Sequence, residues 1–389
     1  MNDQILPGST AHSHGYVADA GVPVQTRSER LRSANPGDHN PVNRRDEQWR
    51  YLEAPALDGL DTATLSNAID AIRVEAPAEF RIEQVDAEDR DFGRAGLPED
   101  LPTANGWAAA TKALKVTVAG EANDPATISI SNPGRHSAAH LILKSETFAR
   151  GVIVLDHTGD ATISETVEII VGDESQLTVI SLQDWNDSAV HTSAQFARIG
   201  RNAKLKHVVV SLGGKTVRVS PVAEFTAPGG EVELLGTYFA DAGQFLEHRS
   251  YVDHAVANCK SRVTYKGALQ GEGARTVWVG DVLIRQAAEG TDTYELNRNL
   301  LLTDGARADS VPNLEIETGE IEGAGHASAS GRFDDEQLFY LQARGINSLD
   351  ARRLVVRGFL NEVIQQIGIE SIEARLNESI EAELAESSY

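Results

Sequence analysis

The sequence predicts a mainly β protein whose core is a β-solenoid, set between a small mixed domain and a C-terminal helical domain. Residues 115–331 consist of short β-branched runs, such as VTVAG and GVIVLD, separated by Gly, Asp and Asn. Most runs alternate apolar and polar residues, which is the period of a strand with one buried face. Apolar patterns of helix length are missing between them, and this argues against βαβ units.

A turn followed by a strand recurs within this region, beginning at Gly172, Gly200, Gly229 and Gly271. The first two intervals are 28 and 29 residues, and the third is longer. Drifting repeats of this kind favour a solenoid or a strongly twisted sandwich over a barrel, and the scarcity of proline favours the solenoid. The ends of a solenoid expose unpaired backbone, so we expect the flanking domains to cap both ends.

The N-terminal part divides into two predicted segments. Residues 1–41 mix Gly, Pro, Ser, His and Asn without a period, which predicts a flexible arm. Residues 42–114 predict a mixed, partly helical domain. Near its start, Asp46 is expected to cap a short helix that buries Trp49 and Leu52.

Two longer helices are expected in the same mixed domain, over residues 61–72 and 106–114. The sequence PEDLP lies between them and is expected to act as a helix breaker. The domain would then form an α/β layer before the solenoid begins.

Residues 332–389 predict three helices. Asp334 followed by Gln337 resembles a capping box, and Gly345 suits the end of that helix. Ser348 would cap the second helix. The third helix has an apolar stripe at i, i+4 spacing on an acidic background, formed by Ile372, Leu376, Ile380 and Leu384.

The charge and cysteine content limit the classes of partner. The chain has 35 Lys+Arg against 58 Asp+Glu, a formal net charge of -23, which would repel both a nucleic-acid backbone and an anionic membrane. We therefore expect neither as a partner. The single cysteine allows no internal disulfide, and the start of the chain lacks the pattern of a signal peptide, so a cytoplasmic location is expected.

Known catalytic motifs are missing from the sequence. It contains no phosphate-binding P-loop, no G-x-S-x-G elbow and no H-E-x-x-H helix. An iron-sulfur cluster held by one chain normally needs four thiolates, and this chain has one cysteine. The sequence therefore gives no motif for these chemistries, and a cluster or metal could sit here only if another chain supplied ligands.

The first candidate ligand is His326, which lies in the small-residue run GAGHASASG. Small neighbours let a backbone or a partner approach closely, and a neutral imidazole is a good ligand for iron or zinc. The alternative is a histidine that satisfies a turn at the end of the solenoid. Both interpretations are open from spacing alone.

The second candidate group is Cys259 with His248 and His254. Their separations of six and five residues match no zinc motif, and a lone buried thiol is the commoner finding. The acidic run DDE that starts at Asp334 resembles paired catalytic carboxylates, but acidic residues at a helix N-terminus are already explained by the helix dipole.

Two stretches resemble a known family. The sequence GAGHASASGRFDDEQLFYLQARGI, followed by ARRLVVRGFLNEVI, resembles the C-terminal motif of the SufB/SufD family, scaffold components of the SUF iron-sulfur cluster assembly system. RRDEQWRYL resembles the N-terminal Arg/Lys-x-x-Glu-x-Trp-x-Tyr element that is typical of the SufD branch. The resemblance extends over about residues 43–368 and implies a right-handed parallel β-helix between helical end domains.

The resemblance also implies a function. It implies a non-catalytic scaffold subunit that pairs with a SufB-type protein through the β-helices and binds a SufC-type ATPase through the C-terminal helices. No cofactor would be bound permanently, but a transient iron-sulfur cluster would form at the interface with the SufB-type partner, and the isolated chain would be able to form a homodimer. The family histidine at that interface matches His326. Ala324 stands where some relatives have cysteine, so thiolates would come from the partner.

Aromatic and arginine side chains in the C-terminal helices are the candidates for the ATPase contact, because such residues dominate binding hot spots. They are Phe339, Tyr340, Arg344, Arg352, Arg353 and Arg357. The alternative for the two aromatic residues is packing against the solenoid end. A solenoid is also compatible with two other functions: a β-helix polysaccharide lyase or hydrolase of the extracellular type, and a structural solenoid that self-associates by its edges.

Overall fold

The structure is a computed structural model, and it describes residues 30–332 and 335–386. Its strands are β1 (Ser66–Asn67), β2 (Ile72–Glu75), β3 (Phe80–Asp86), β4 (Lys112–Val118), β5 (Ala126–Ser131), β6 (Gly134–Ser145), β7 (Arg150–Gly159), β8 (Ala161–Val171), β9 (Gln176–Trp185), β10 (Val190–Ile199), β11 (Lys204–Ser211), β12 (Thr216–Phe225), β13 (Glu231–Ala240), β14 (Phe245–His254), β15 (Lys260–Leu269), β16 (Arg275–Ile284), β17 (Asp292–Leu301), β18 (Arg307–Ile316) and β19 (Gly323–Arg332).

The described α-helices are α1 (Leu101–Ala109), α2 (Asp335–Ala343), α3 (Ser348–Ile364) and α4 (Glu370–Glu386). Short 3-10 helices occur at Pro36–Asp38, Glu47–Trp49, Ala54–Leu57 and Ile69–Ala71. No helix of the described residues is long and apolar enough to cross a membrane.

The strands form a β-solenoid of about eight turns, which confirms the predicted fold class. Even-numbered strands from β4 to β18 make one sheet in parallel order, and odd-numbered strands from β5 to β19 make the other. We refer to them as the even sheet and the odd sheet. Each turn contributes one strand to each sheet, so inward side chains of both sheets meet in a common interior.

The repeat predicted from the turn-plus-strand phrases is confirmed in part. The phrases at Gly172, Gly200 and Gly229 precede β9, β11 and β13, which are successive strands of the odd sheet. The phrase at Gly271 precedes β16, which lies in the even sheet, so its assignment as the fourth member is wrong. Similar turns occur at both corners of each coil, and local sequence does not distinguish one corner from the other.

The N-terminal end of the solenoid is covered, as predicted. Strand β2 pairs antiparallel with β5, and β3 pairs antiparallel with β4, so the first strands of both sheets have a neighbour. At the other end, β18 and β19 are the last strands of their sheets and each pairs on one side only. Within the described residues, the last coil therefore presents two strand edges.

The C-terminal helices do not cap this end, and that expectation is wrong. Helices α3 and α4 instead lie on the outer face of the odd sheet, because the outward positions of β7 to β15 are apolar and need a cover. Polar contacts add to this packing: Lys206 donates to the carbonyl of Gln366 at 2.9 Å, Arg375 pairs with Asp156 at 2.8 Å, and Lys266 pairs with Glu362. The apolar stripe of α4 packs in this layer, with Leu376, Ile380 and Leu384 buried.

The helix predictions of the mixed domain need correction. Helix α1 begins at Leu101, capped by the carboxylate of Asp100, and PEDLP starts the helix because proline is tolerated in a first turn. The helix ends at Ala109, and residues 112–118 form strand β4, whose apolar residues pack in the solenoid. Residues 61–72 form short strand and 3-10 segments where a helix was predicted.

The segment RRDEQWRYL binds the even sheet from outside. Asp46 caps a single 3-10 turn by accepting from the backbone N–H of Gln48 at 3.1 Å, as predicted. Trp49 is 2% exposed, and the guanidinium of Arg218 lies 3.9 Å from its ring centroid. Arg218 also donates to Glu247 at 3.1 Å, so the aromatic contact is fixed by a buried ion pair.

Two glycine–tyrosine pairs interlock β13 and β15. Gly236 is in register with Tyr265, and Tyr238 is in register with Gly267. A Cβ atom at Gly267 would lie 1.8 Å from the ring of Tyr238, and one at Gly236 would lie 2.1 Å from the ring of Tyr265. Each inward tyrosine therefore occupies the space that a side chain on the next strand would need.

Some predicted features lie outside the described residues. They include residues 1–29 of the predicted arm, and Asp334 of the predicted capping box. Gly345 follows α2 with a φ of +87° and donates to the carbonyl of Gln342, which is the predicted helix-ending geometry. Helix α3 is capped by Asn347, one residue before the predicted Ser348.

Candidate functional site

His326 lies on β19, the last strand of the odd sheet, and its side chain is exposed. It is in register with Glu295 of β17, and in-register residues of parallel strands lie on the same face of a sheet. Glu295 is buried in the interior, so His326 continues the inward row of side chains at the last coil, which no other strand of residues 30–332 and 335–386 covers. The histidine therefore stands at the open end of the solenoid interior.

Glu295 lies directly beneath this histidine and has an unusual environment. Its side chain is 1% exposed, and neither carboxylate oxygen has a hydrogen-bond partner among the described residues. The carboxylate reaches across to the even sheet, where a Cβ atom at Gly280 would lie 2.8 Å from Oε1. Burial, together with the charge of Asp281, raises the pKa of Glu295 to about 8.

Next to Glu295 the interior of the last coils is a hydrogen-bonded polar layer. The hydroxyl of Tyr238 donates to Asn299 at 2.7 Å and accepts from Asn297 at 3.0 Å. Asn299 donates to Ser310 of β18 at 3.1 Å and to Ser330 of β19 at 3.2 Å. Polar groups therefore continue from the interior to the last strands of both sheets.

A second polar cluster lies deeper, where His157, Glu165 and His191 meet with none of the three exposed to solvent. Among the described residues this is the one group of three or more His, Cys, Asp or Glu whose ligand atoms all lie within 4.8 Å of one another. Nε2 of His157 is 2.9 Å from Glu165, and Nε2 of His191 is 3.4 Å from it. Ser193 also donates to this carboxylate, at 2.6 Å.

The hydrogen bonds of this cluster define its proton positions. Nδ1 of His157 donates to the carbonyl of Leu182, so a bond from Nε2 to Glu165 requires a second proton on that ring. Despite its burial, the adjacent carboxylate raises the pKa of His157, and the two histidines hold the pKa of Glu165 well below its usual range. Trp185 donates to Nδ1 of His191, which leaves the proton of a neutral ring on Nε2. The cluster is thus an ion pair with a neutral second histidine, and it lacks the free nitrogen lone pairs that a metal would need.

Sequence reasoning missed this cluster, although a signal was present. In ATISETVEIIV the carboxylate of Glu165 occupies the same alternating face as Ile163 and Val167, which are core residues. A charged residue on the inward face of a strand needs a buried partner. The partners, His157 and His191, lie on other strands, and the sequence pattern does not show which residues of those strands face Glu165.

Hydrogen bonds connect the cluster to the next coils. Ser193 accepts from Gln195 at 2.9 Å, and the side-chain oxygen of Gln195 lies 2.6 Å from His207. Burial lowers the pKa of His207 to about 4, so this ring is neutral at physiological pH. The interior therefore contains polar residues along most of its length, and the open end is where they meet solvent.

Cys259 does not join His248 and His254 in a ligand group. It is 1% exposed, its thiol is directed to the carbonyls of Ala227 and Ala257, and burial raises its pKa. His248 contacts Ser211 and His254 contacts Ser261, and burial lowers the pKa of each of these histidines to about 3. The three side chains serve the packing of the interior.

Four of the six candidate ATPase contacts are exposed, and the other two, Arg352 and Arg353, are half-buried. Phe339 is 72% exposed and Tyr340 is 56% exposed, so neither packs against the solenoid end as the alternative proposed. The guanidinium of Arg344 lies 4.6 Å from the ring centroid of Tyr340. Helix α2, which carries the two aromatic residues, follows β19 after a two-residue gap in the described chain.

The three remaining arginines lie on α3. Arg352 and Arg353 are half-buried, and Arg357 is exposed and pairs with Glu381 of α4 at 3.5 Å. Arg357 thus also ties the two helices together. We refer to Phe339, Tyr340 and Arg344 as the aromatic patch.

The fold and the site define a class: a β-solenoid protein in which the described residues cover the N-terminal end and leave the C-terminal end open, with an exposed histidine over a polar interior. The chain matches the family model described as SUF system FeS cluster assembly, SufBD core domain, over residues 128–359. A Mycobacterium tuberculosis protein described as an iron-sulfur cluster assembly SufBD family protein is 50% identical over 351 residues, covering 87% of this chain and 88% of that relative.

Other relatives agree with this match. A Mycobacterium leprae protein with the same family description is 49% identical over 351 residues, covering 87% of this chain and 90% of the relative. A Synechocystis protein of the same description is 27% identical over 213 residues, covering 55% of this chain and 47% of the relative. The chain therefore belongs to the SufBD family of the SUF iron-sulfur cluster assembly system.

Proposed function

We propose that this chain is a non-catalytic scaffold subunit of a cytoplasmic SUF complex, which pairs with a SufB-type protein and binds a SufC-type ATPase. The observation that carries the proposal is the last coil, in which β18 and β19 each have one edge that no described strand pairs with, and β19 presents His326. Edges of ten-residue strands are templates for pairing with another chain. A second β-helix of the same family is a partner of matching geometry.

His326 would lie within that interface. A transient iron-sulfur cluster would form there, with thiolates from the SufB-type partner, because Ala324 offers none and the sole cysteine of the chain is buried elsewhere. Replacing His326 with Ala should leave folding and complex assembly intact, since the side chain is exposed, and should impair cluster maturation. Normal maturation in cells that carry this variant would refute the role of His326 in cluster assembly.

The ATPase would bind the aromatic patch. Exposed Phe339 and Tyr340 supply the apolar area that hot spots use, and Arg344 adds a stacked cation. Because α2 follows the open-end strand β19 closely in sequence, movement of a bound ATPase would act close to the partner interface. This proximity supports a role in which nucleotide-driven motion remodels the interface.

Purified full-length chain should be tested against the SufB-type and SufC-type proteins of the same organism, by size-exclusion chromatography with light scattering. Changing Phe339 and Tyr340 to Ala should remove ATPase binding and leave SufB-type pairing intact. Phe148→Ala is the matched control, because Phe148 is also 72% exposed and lies outside the C-terminal helices. Removal of residues 332–389 would be a poor test, since α3 and α4 cover the apolar outer face of the odd sheet.

Pairing can be tested separately with Ala329→Lys, which places a charge on the exposed part of edge strand β19. This variant should lose the SufB-type partner and keep the ATPase. If the wild-type chain binds neither protein, the proposed function is wrong. If it forms only homodimers that Ala329→Lys disrupts, the self-associating solenoid is the better description.

The polysaccharide-active alternative is not favoured. Such enzymes work along an accessible solenoid face, whereas α3 and α4 cover the odd sheet and the N-terminal segment with Trp49 packs on the even sheet. Family membership points in the same direction.

A further inference from the structure

Glu295 has a position that its role in folding does not explain. It is almost fully buried, and within the part of the chain that the structure describes both carboxylate oxygens lack hydrogen-bond partners. Burying a carboxyl group without hydrogen bonds costs free energy that an apolar residue at the same place would avoid. An unsatisfied buried group of this kind is expected where a ligand supplies the missing contact.

The structure leaves room for this carboxylate. Gly280 faces it across the interior, and a Cβ atom there would lie 2.8 Å from Oε1 of Glu295 and 2.3 Å from the ring of Trp278. The interior at this level is therefore shaped around the carboxylate and the indole.

The last coil, formed by β18 and β19, lies directly above Glu295, and within the described residues no further strand covers its outer side. In the last coil, Pro312 is in register with Gly280 and His326 is in register with Glu295. The side chain of Pro312 is a hydrocarbon ring without donor or acceptor atoms. Of these two residues, only His326 therefore has a side chain that can bind a ligand. His326 is exposed and Glu295 lies one strand below it, at a strand spacing of about 4.8 Å.

We propose that Glu295 and His326 together bind one divalent cation at the open end of the solenoid, and that in the assembled complex this cation is ferrous iron delivered as substrate. The inference rests on the proposed function. One carboxylate oxygen and one imidazole nitrogen are ligands that suit Fe²⁺ and Mn²⁺, and residues one strand apart can share an ion at the usual metal–ligand distance of about 2.1 Å. Solvent or the partner completes the coordination.

The experiment uses the full-length chain alone and Mn²⁺ as the probe, with binding measured by electron paramagnetic resonance and by calorimetry. Wild type should bind one Mn²⁺ at this site. Glu295→Gln, which keeps the side-chain shape, and His326→Ala, which changes an exposed side chain, should each weaken that binding at least tenfold. Glu322→Gln is the matched control, because Glu322 is an exposed carboxylate just before β19, and it should bind as wild type does.

Circular dichroism of each variant checks the fold, and the exposed position of His326 keeps the test valid if Glu295→Gln does not fold. Equal Mn²⁺ affinity of wild type and His326→Ala would overturn the inference, as would a wild-type chain that takes up no Mn²⁺. Loss of binding in Glu322→Gln alone would assign the ion to the surface and also overturn it. Pairing with the SufB-type protein, measured without metal, is a separate readout, so failure of this site and failure of the proposed function are distinguishable.

Discussion

The buried ion pair of His157 and Glu165 makes a quantitative prediction. Glu165→Leu would remove the acceptor of three contacts, from His157 at 2.9 Å, Ser193 at 2.6 Å and His191 at 3.4 Å, at a site that is closed to solvent. Breaking a buried pair by removing one partner costs about 3–5 kcal/mol. We expect a loss of stability in that range.

Glu165→Gln should behave differently. A glutamine oxygen can still accept from Ser193, and its amide can donate to Nε2 of a neutral His157, whose Nδ1 already donates to Leu182. The hydrogen bonds are kept while the charges disappear, so at pH 8 the cost should be below about 1 kcal/mol.

The difference between Glu165→Gln and wild type should depend on pH. In wild type the pKa of His157 is raised above its unfolded value. Its contribution to the free energy of unfolding is therefore fully present below about pH 6.5 and is lost as pH rises through the folded pKa. In Glu165→Gln burial without a counter-charge should lower this pKa, and stability should then fall as pH decreases below about 6.5. The variant should lose about 1–2 kcal/mol relative to wild type between pH 8 and pH 5.5, at 1.36 kcal/mol per pKa unit.

Urea unfolding followed by circular dichroism and tryptophan fluorescence measures these differences. Glu121→Gln is the control, because its side chain is 73% exposed and its pairing with Arg150 is long, at 4.0 Å. Stability of Glu165→Leu within about 1 kcal/mol of wild type would refute the ion-pair reasoning. A difference between Glu165→Gln and wild type that is the same at both pH values would refute the assigned charge of His157.

Three further predictions concern packing, and each is checked by the same urea experiment. Gly267→Ala should destabilise by roughly 2–3 kcal/mol, because its Cβ would lie 1.8 Å from the ring of Tyr238, and a change below about 0.5 kcal/mol would contradict this interlock. Gly358→Ala in α3 should stabilise by about 0.5–1 kcal/mol, since nothing lies within 4 Å of the added Cβ; destabilisation would show that the position is not open. Trp49→Ala should cost about 3–5 kcal/mol because the ring is buried under Arg218, and a cost near zero would mean that the N-terminal segment does not depend on this contact.

Periodicity was sufficient for the solenoid, because inward and outward residues alternate along each strand and the interior selects β-branched and aliphatic side chains. Periodicity was not sufficient to assign each strand to one of the two sheets. Gly271 resembles Gly229 locally, yet it precedes a strand of the opposite sheet. A two-sheet solenoid turns twice per coil, and both corners use the same glycine-rich chemistry.

The helices show the same division. The i, i+4 stripe of α4 indicated a buried face, and that face is buried. The stripe did not indicate which surface covers that face, because an apolar helix face packs on any apolar surface. The outer face of the odd sheet offers more apolar surface than the open end of the solenoid does.

The candidate site was predicted only in part. His326 was identified from its small-residue setting and the family motif, and the structure places it at the open end of the interior. Glu295 and Glu165 were not predicted as site residues: a carboxylate on the inward face of a strand signals that it needs a buried partner, but the sequence does not say which residue faces it.

By itself, then, the sequence determined the solenoid, the amphipathic helices, the acidic surface and the histidine, since each depends on residue types at short, regular spacing. The tertiary structure decided which coil is left open, which face the helices cover and which buried charges meet. Those features depend on register between strands some 27 to 32 residues apart. A shift of one residue in that register would turn each inward side chain outward, and local pattern contains no information about it.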